Sequence, residues 1–392
     1  MKQKLMAFSP EAGYQGAFME EQTSSLREPL PPPLPPSQTE RSRRVGGITA
    51  LLLLLLFAGF YRWVFETSLM KSAGGVVSLA FIFGVPFALG ALSVALARWR
   101  GIDQWLLPAV VLPTVVLTIG VITCFLTKVE ALICIIMAAP VLFVGAILGG
   151  LLAHALLPKN NKETRLYLPL ILCLPMLLTG VENAFHWPTE IKAIQDSIVI
   201  HAPASTVWPL IASVSAIDPR QIPNKWIYRI GFPKPIAATL SREGIGGVRS
   251  ATFERGVSFF ETVTEWSPPH KLAFTIHADP DFIPHTAFDQ HIIVGGRFYN
   301  VLDGLYEIEP LSSTECRLHL TSHHRLTTRF NQYAAWWSER IMDEIQGSIL
   351  EVIRTRAECA FGAPAHPQER HPVERELPQE SVTLPSTWAA NQ

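Results

Sequence analysis

Two charged residues of opposite sign stand in neighbouring segments of the chain and have the chemistry to act on one ligand. Arg249 lies in Gly247–Phe253. Glu261 lies in Val257–Trp266, and a turn at Gly256 makes the two segments antiparallel neighbours. This pairing predicts Arg249 diagonally across from Glu261, at about 7–8 Å between backbones. Facing inward, the two side chains would form either a structural ion pair or a holder for the polar group of an apolar ligand.

The histidines do not follow a metal-binding pattern. His323 and His324 are adjacent in an extended segment, so their side chains point to opposite faces and cannot chelate one ion. A later loop carries several ligand-type side chains, but their spacing fits no metal motif and its prolines indicate an exposed loop. These side chains are His277, Asp279, Asp281, His285, Asp289 and His291. We therefore predict no metal site.

Covalent catalysis and cofactor binding also lack a sequence signature. No Gly-x-Ser-x-Gly motif is present, and Cys316 and Cys359 have apolar or ordinary neighbours. We see no Rieske-type ligand pattern and expect no cofactor. General acid–base chemistry by Glu261 or His324 stays open at this stage.

The elements that position these residues are short strands and two helices. Six segments alternate with the period of a β-strand and are bounded by Gly, Pro or Ser: Ser197–His201, Gly247–Phe253, Val257–Trp266, Lys271–Ile276, Gly304–Glu309 and Cys316–Thr321. Helices are predicted over Ala204–Val214 and Phe330–Ala360, and the second has an apolar stripe. This order predicts an α+β layer in which the last helix covers a curved antiparallel sheet.

Strand alternation and the helical stripe select the side chains that face the space between sheet and helix. Phe259 and Glu261 share one strand face, and Phe274 and Ile276 share a face of the next strand. On the helix, residues one turn apart form a row on the same side. The predicted cavity residues are Arg249, Phe259, Glu261, Phe274, Ile276, Leu320, His324, Tyr333, Trp337 and Ile341.

The start of this half resembles a known family. Ser197-Ile-Val-Ile-His-Ala-Pro-Ala-Ser-Thr-Val-Trp208 looks like the entry motif of the START-like, or SRPBCC, superfamily, in its polyketide cyclase/dehydrase-like branch. Gly246–Arg249, Glu261–Trp266 and Asn331–Ala334 are similar to the same family. The resemblance implies a helix-grip fold with an apolar cavity between the sheet and the last helix. Because such proteins include lipid carriers, receptors and cyclases, the resemblance does not by itself select an activity.

The first half of the chain consists of long apolar blocks that suit a lipid environment. The blocks are Gly47–Phe65, Val76–Ala97, Gln104–Leu126, Ala131–Leu157 and Leu166–Val181. About twenty apolar residues match the roughly 30 Å hydrocarbon thickness of a bilayer, so we interpret them as an all-α bundle of about five membrane-spanning helices. None carries Asp, Glu, Lys or Arg near its centre, which argues against an ion pump or transporter.

Basic residues predict the orientation of these helices. They cluster before the first block, after the second and before the fifth: Arg41, Arg43 and Arg44, then Arg98 and Arg100, then Lys159, Lys162 and Arg165. The positive-inside rule then predicts a cytoplasmic N-terminus. Leu166–Val181 would be only about 24 Å long as a helix and contains Pro169 and Pro175. If this block spans, the second half lies outside the cytoplasm, which we expect; if it is re-entrant, that half is cytoplasmic.

Composition separates the chain into four parts. Of 392 residues, 48% are hydrophobic and 17% are charged, with a net charge of −1, so nothing favours a nucleic-acid partner. We predict a disordered Pro-rich tail over 1–46, a transmembrane domain over 47–182, a START-like domain over 191–362 and a disordered tail over 363–392. Gly145 and Gly149 form a small-xxx-small pair, for packing within the bundle or for a homodimer.

Together these observations predict a multi-pass membrane protein with a START-like domain that binds an apolar, lipid-derived small molecule. We interpret the domain as a binding module rather than an enzyme. One alternative is a membrane-anchored cyclase or lyase that uses Glu261, Arg249 or His324. A second is a sensor or scaffold that binds a protein partner.

Overall fold

The computed structural model describes residues 38–102, 104–185, 187–278 and 294–362. The C-terminal tail, most of the predicted N-terminal tail and the loop residues Asp279, Asp281, His285, Asp289 and His291 lie outside these residues. The described chain begins with helices and ends with a sheet and one long helix.

Within the described residues, five helical stretches are long and apolar enough to cross a membrane: Val45–Glu66, Ala80–Trp99, Leu107–Thr127, Leu132–Leu156 and Lys162–Ala184. The helices of this region are α1 (Gln38–Glu66), α2 (Ser68–Ser72), α3 (Val85–Trp99), α4 (Leu112–Thr127), α5 (Leu132–Leu156) and α6 (Asn161–Ala184). The number agrees with the sequence prediction. The stretch that ends with α3 is the most buried of the five, so α3 is the central helix of the bundle.

Glycine allows α3 and α5 to approach closely. A Cβ atom on Gly149 would lie 2.0 Å from the carbonyl oxygen of Phe87, so only a residue without a side chain fits there. Gly145 lies against Phe83 with more space, since a Cβ atom there would be 3.2 Å from the Phe83 carbonyl oxygen. The small-residue pair is thus used for packing inside the bundle, and its role in a dimer stays a prediction.

The sixth helix is longer than the apolar block that predicted it. It starts at Asn161, where the Asn160 side chain accepts a hydrogen bond from the Lys162 N–H, and it continues through Pro169 and Pro175 to Ala184. Its 24 residues give about 36 Å, which is enough to span the hydrocarbon layer. The helix length predicted from the sequence, about 24 Å, was too small because it included only the uncharged residues Leu166–Val181.

The second half forms a seven-stranded antiparallel sheet in the order β1-β7-β6-β5-β4-β3-β2. The strands are β1 (Glu190–Ile200), β2 (Pro235–Leu240), β3 (Val248–Phe253), β4 (Ser258–Ser267), β5 (Lys271–His277), β6 (Tyr299–Pro310) and β7 (Cys316–Leu326). Short helices α7 (Ala204–Ala212) and α8 (Trp226–Arg229) follow β1. The sequence predicted every strand except β2, a six-residue edge strand that begins with proline and so lacks a clear alternating pattern.

The last helix, α9 (Asn331–Phe361), packs across this sheet. Near its C-terminal end, Leu350 and Ile353 are buried against Leu272 and Leu318 of the strands. Burying such side chains stabilises the fold by about 1.5–3 kcal/mol each. An antiparallel sheet that curls around a long C-terminal helix is the helix-grip arrangement that the family resemblance implies.

The helical bundle and the sheet domain are joined by a buried polar contact. The Glu182 carboxylate at the end of α6 accepts hydrogen bonds from the N–H groups of Leu79 (3.0 Å) and Ala80 (2.9 Å). The Arg329 guanidinium, just before α9, donates to the Glu182 carbonyl (2.9 Å) and the Asn183 side chain (3.1 Å). Its Nε also lies 3.5 Å from the Glu182 carboxylate. These contacts hold the segment just before α9 against the bundle.

Candidate ligand-binding cavity

A cavity of about 280 Å³ lies between the sheet, α9 and the bundle. Its walls are mainly aliphatic and aromatic side chains from β3 to β7 and from α9. The polar residues that line it include Arg249, Glu261, Tyr306, Ser322, Ser338 and Gln346. A concave, mostly apolar space with a few polar groups is the usual form of a small-molecule site.

Seven of the ten predicted cavity residues line this space: Arg249, Phe259, Glu261, Phe274, Ile276, Leu320 and Ile341. Strand alternation placed the first six on the inner face, and the burial pattern of β4 and β5 follows that alternation. The structure therefore brings most of the predicted residues together around one space.

Arg249 and Glu261 form a buried ion pair in the cavity wall. They are directly opposite each other on β3 and β4, rather than diagonally as the sequence analysis predicted. Their side chains are only 5% and 8% exposed, and the Arg249 guanidinium donates a hydrogen bond to the Glu261 carboxylate. Burial raises the pKa of Glu261, and the charge of Arg249 opposes that rise.

The Arg249 guanidinium has unused hydrogen-bonding capacity. It lies 5.4 Å from the ring centroid of Phe274 and 6.0 Å from that of Tyr306, so aromatic faces cover it. Its Nε atom is buried and has no hydrogen-bond partner among the described residues. A buried N–H without a partner costs about 1–3 kcal/mol, which a ligand with an acceptor atom would remove.

The Phe274 ring fits in this place because β6 has a glycine beside it. Gly304 pairs directly with Phe274, and a Cβ atom on Gly304 would lie 2.6 Å from the phenyl ring. The ring therefore lies close to the β6 backbone at Gly304. This position leaves room on the inner side for the Arg249 guanidinium.

A second polar group projects from the helix side. The Gln346 amide on α9 donates a hydrogen bond of 2.6 Å to the Ser322 hydroxyl on β7, and Gln346 is only 2% exposed. Its other amide atom, Oε1, has no hydrogen-bond partner within the described ranges. Among the described residues, the cavity wall thus contains a buried unpaired donor on the sheet and a buried unpaired acceptor on the helix.

Three predicted residues do not line the cavity. The Tyr333 hydroxyl instead donates a hydrogen bond of 2.5 Å to the Met137 carbonyl of α5, and Trp337 packs near Trp226. These two residues lie on a different side of α9 from the one predicted, because the first turns of α9 are apolar on two sides, one facing the sheet and one facing other helices. On the sheet side, Ala334, Ser338 and Ile341 occupy the row instead.

His324 is the third exception. It is completely buried behind Ser338, whose hydroxyl lies 3.0 Å from His324 Nε2, and it does not reach the cavity. Burial, together with the charges of His323 and Lys192, lowers the pKa of His324 to about 4. His323 points to the opposite face, where its hydrogen bond to Asp303 raises its pKa. In the part of the chain that the structure describes, no cluster of His, Cys, Asp and Glu has a metal-binding arrangement.

The cavity residues that the sequence analysis missed include two informative groups. Ser322 continues the inward alternation of β7 one step beyond the predicted strand, and Gln346 interrupts the apolar stripe of α9, so both signals were present. The second group comes from the bundle: Val77, Ile133, Cys134 and Met137. No local pattern in the sequence indicates this long-range contact.

No protein-family model matches the sequence. No curated protein matches it either. Among solved structures, norcoclaurine synthase from Thalictrum flavum is similar at 11% identity, with a TM-score of 0.29 over 46% of this chain and 99% of that chain.

Two bacterial structures are similar to a comparable extent. The Zhui aromatase/cyclase from Streptomyces sp. R1128 has 16% identity and a TM-score of 0.28, over 43% of this chain and 94% of that chain. A Thermobifida fusca protein solved by NMR has 18% identity and a TM-score of 0.28, over 44% of this chain and 97% of that chain. Similarities at this level carry no argument about activity or ligand, and the description of the fold rests on the sheet and helix themselves.

Proposed function

We propose that this chain is a membrane protein whose START-like domain binds an apolar molecule with a small polar group. The observation that carries the proposal is the unpaired Nε–H of buried Arg249 in the wall of a mostly apolar cavity. A buried charged group with an unused donor is costly to keep, so it favours a role in contacting a ligand over a purely structural one.

The charge of the site favours a neutral polar group on the ligand. Glu261 neutralises Arg249, so the pair offers no net positive charge to a free carboxylate or phosphate. The unpaired Arg249 Nε–H suits a carbonyl or hydroxyl oxygen, and the unpaired Gln346 Oε1 suits a hydroxyl or N–H donor. A long-chain or polycyclic alcohol or hydroxyketone meets both requirements.

Binding is favoured over catalysis by the contact between Ser338, which lines the cavity, and His324, which lies behind it. Ser338 lies within hydrogen-bonding distance of His324, but a pKa of about 4 makes that imidazole a weak base. The other ring nitrogen, Nδ1, has no acceptor among the described residues to fix its orientation. The arrangement needed to activate a serine nucleophile is therefore incomplete.

The test uses the full chain purified in detergent and two fluorescent probes of equal chain length, a fatty alcohol and a fatty acid. We expect saturable binding of the alcohol, weaker binding of the acid, and an apolar molecule retained in native mass spectra of the purified protein. Absence of saturable binding for both probes, with no retained molecule, would refute the proposal.

The membrane arrangement is part of the same proposal. With five spanning helices and basic residues before the first, the N-terminus is cytoplasmic and the START-like domain lies outside the cytoplasm. An alkaline phosphatase fused after Gln392 should be active and a fluorescent protein fused there should be dark. The reverse result would place the domain in the cytoplasm.

A further inference from the structure

The bundle supplies part of the cavity wall, and this contact bears on how a ligand enters the cavity. We propose that the ligand passes directly between the bilayer and the cavity through a portal formed by the first turns of α5 and α9. The inference rests on the proposed binding function and adds the source and the route of the ligand.

The first observation is the position of the α5 residues in the cavity wall. Ile133, Cys134 and Met137 have the spacing of one helical face and all line the cavity. They belong to the first two turns of a helix that is long and apolar enough to span a membrane. A helix that is suited to contact lipid therefore also forms part of the cavity wall.

The second observation is the depth of these residues. The 25 residues of α5 give a length of about 37 Å, which exceeds a 30 Å hydrocarbon layer by about 3–4 Å at each end. Ile133 lies about 2 Å from the start of α5 and Met137 about 8 Å from it. The cavity wall thus runs from the headgroup level into the level of the acyl chains.

Aromatic and basic side chains at the start of α9 fit this level of the membrane. Trp336 is 45% exposed, and the Arg340 guanidinium lies 3.7 Å from its ring centroid. Tyr333 and Trp337 adjoin them on the same turns. Tryptophan, tyrosine and arginine are typical of the membrane–water interface, because they combine an apolar body with a polar tip.

The contact between α5 and α9 differs from the rest of the junction. At the end of α6, Glu182 and Arg329 share several hydrogen bonds with neighbouring groups. Between α5 and α9, the Tyr333 hydroxyl donates one hydrogen bond to the Met137 carbonyl, and apolar side chains complete the contact. This difference allows α9 to separate from α5 while the Glu182–Arg329 anchor holds the domain in place.

The test measures transfer of a probe into the full chain reconstituted in phosphatidylcholine nanodiscs. The probe is a long-chain alcohol with a diazirine and a fluorophore, present at low mole fraction in the lipid. Ile133→Trp places a bulky ring in the portal, and Val144→Trp is the matched control on the outward side of the same helix, where Val144 is 53% exposed. Tyr333→Phe removes the hydrogen bond between the two helices and keeps the ring.

We expect Ile133→Trp to slow both association and dissociation of the probe at least about tenfold, because both use the same passage. We expect Tyr333→Phe to speed both about threefold and Val144→Trp to change neither. Photolysis should give adducts on the peptide that contains Ile133 and Met137. If Ile133 only lined the binding site and did not lie in the passage, its replacement by tryptophan would speed dissociation of the probe instead.

The outcomes separate the portal from the binding function. Binding by the unmodified chain with unchanged rates in Ile133→Trp and Tyr333→Phe, and no adducts on α5, would overturn the portal and leave the proposed function intact. No binding by the unmodified chain would overturn both. If Ile133→Trp does not fold, the rates of Tyr333→Phe and the site of the adducts still decide the matter.

Discussion

Two buried arginine–glutamate pairs lie in different regions of this molecule and differ in how completely they are hydrogen-bonded. Arg329 and Glu182 join the sheet domain to the bundle, with side-chain exposures of 16% and 5%. Arg249 and Glu261 lie in the cavity wall, with exposures of 5% and 8%. Burial alone does not distinguish the two pairs.

Hydrogen bonding does distinguish them. The Glu182 carboxylate accepts from two backbone N–H groups, and Arg329 donates to a carbonyl and an amide oxygen in addition to facing Glu182. Arg249, in contrast, has a buried Nε without a partner among the described residues. A pair with complete hydrogen bonding suits a structural role, and a pair with an unpaired donor in a cavity suits a ligand.

The largest effect is expected from Glu182→Gln, which keeps the shape of the side chain and removes its charge. The substitution leaves the Arg329 guanidinium without its counter-charge and turns an amide N–H toward a backbone N–H. A loss of about 3–5 kcal/mol, or roughly 10 °C in the midpoint of thermal unfolding, is expected. Thermal unfolding of the full chain in detergent checks it, with Glu339→Gln on the exposed side of α9 as the control.

A drop no larger than that of Glu339→Gln would contradict the structural role of the junction pair. The contrast with the cavity pair would then also be lost, because the Arg329–Glu182 pair would no longer have a structural role.

Acid provides a second way to compare the regions, because His324 lies beside the cavity and not at the junction. Its folded-state pKa of about 4 is below its ordinary value, so between pH 6.5 and 4 the unfolded chain binds more protons and stability falls as the pH falls. Tyr299 and Ser338 contact its ring, and the charges of the neighbouring His323 and Lys192 also act on it. The loss at pH 5 is about 2 kcal/mol, or roughly 5 °C.

His324→Phe isolates this contribution, since all other titrating groups are shared with the unmodified chain. We expect the fall in unfolding midpoint from pH 7.5 to pH 5 to be about 5 °C smaller in the variant. His323 acts in the opposite direction, because its pKa is raised and its protonation stabilises the folded state as the pH falls. Equal falls in both proteins would show that His324 does not stay neutral in the folded chain.

Glu261→Gln is expected to have a smaller effect on stability and a clear effect on binding. If the Arg249–Glu261 pair contacts a ligand and is partly open to the cavity, the substitution should lower the unfolding midpoint of the protein by only a few degrees. The retention of a fluorescent alcohol or sterol probe should change in the same variant. Glu265→Gln on the same strand, where the side chain is 44% exposed, is the control. Destabilisation as large as that of Glu182→Gln would assign Glu261 to structure.

Local pattern was sufficient to predict most of this fold. Alternation identified β3, β4 and β5 and their inward faces, because one face of each strand is buried and the other is not. Apolar length identified the five described helices that are long and apolar enough to span a membrane, because lipid requires apolar side chains along the whole segment. The edge strand β2 was missed because its short sequence carries little of that pattern.

The parts that could not be predicted depend on contacts between distant elements. The apolar stripe of α9 includes Tyr333 and Trp337 because one helix packs on two partners, and periodicity does not separate the two faces. The contribution of Met137 and Ile133 to the cavity depends on where the domain meets the bundle. The unpaired atoms of Arg249 and Gln346 depend on exact geometry, which residue types do not specify.

The smallest effect on stability, and the sharpest separation of stability from binding, is expected from Gln346→Leu. Leucine removes the unpaired Oε1 and leaves the Ser322 hydroxyl without one hydrogen bond, so the gain and the loss are both about 1 kcal/mol and nearly cancel. The unfolding midpoint should therefore stay within about 3 °C. Binding of the alcohol probe should weaken about fivefold to tenfold, which corresponds to one lost hydrogen bond at about 1.4 kcal/mol per factor of ten. Gln332→Leu, at an exposed position of the same helix, is the control. Unchanged affinity would mean that the ligand does not reach α9 at this position, and the polar contact would then belong to Arg249 alone.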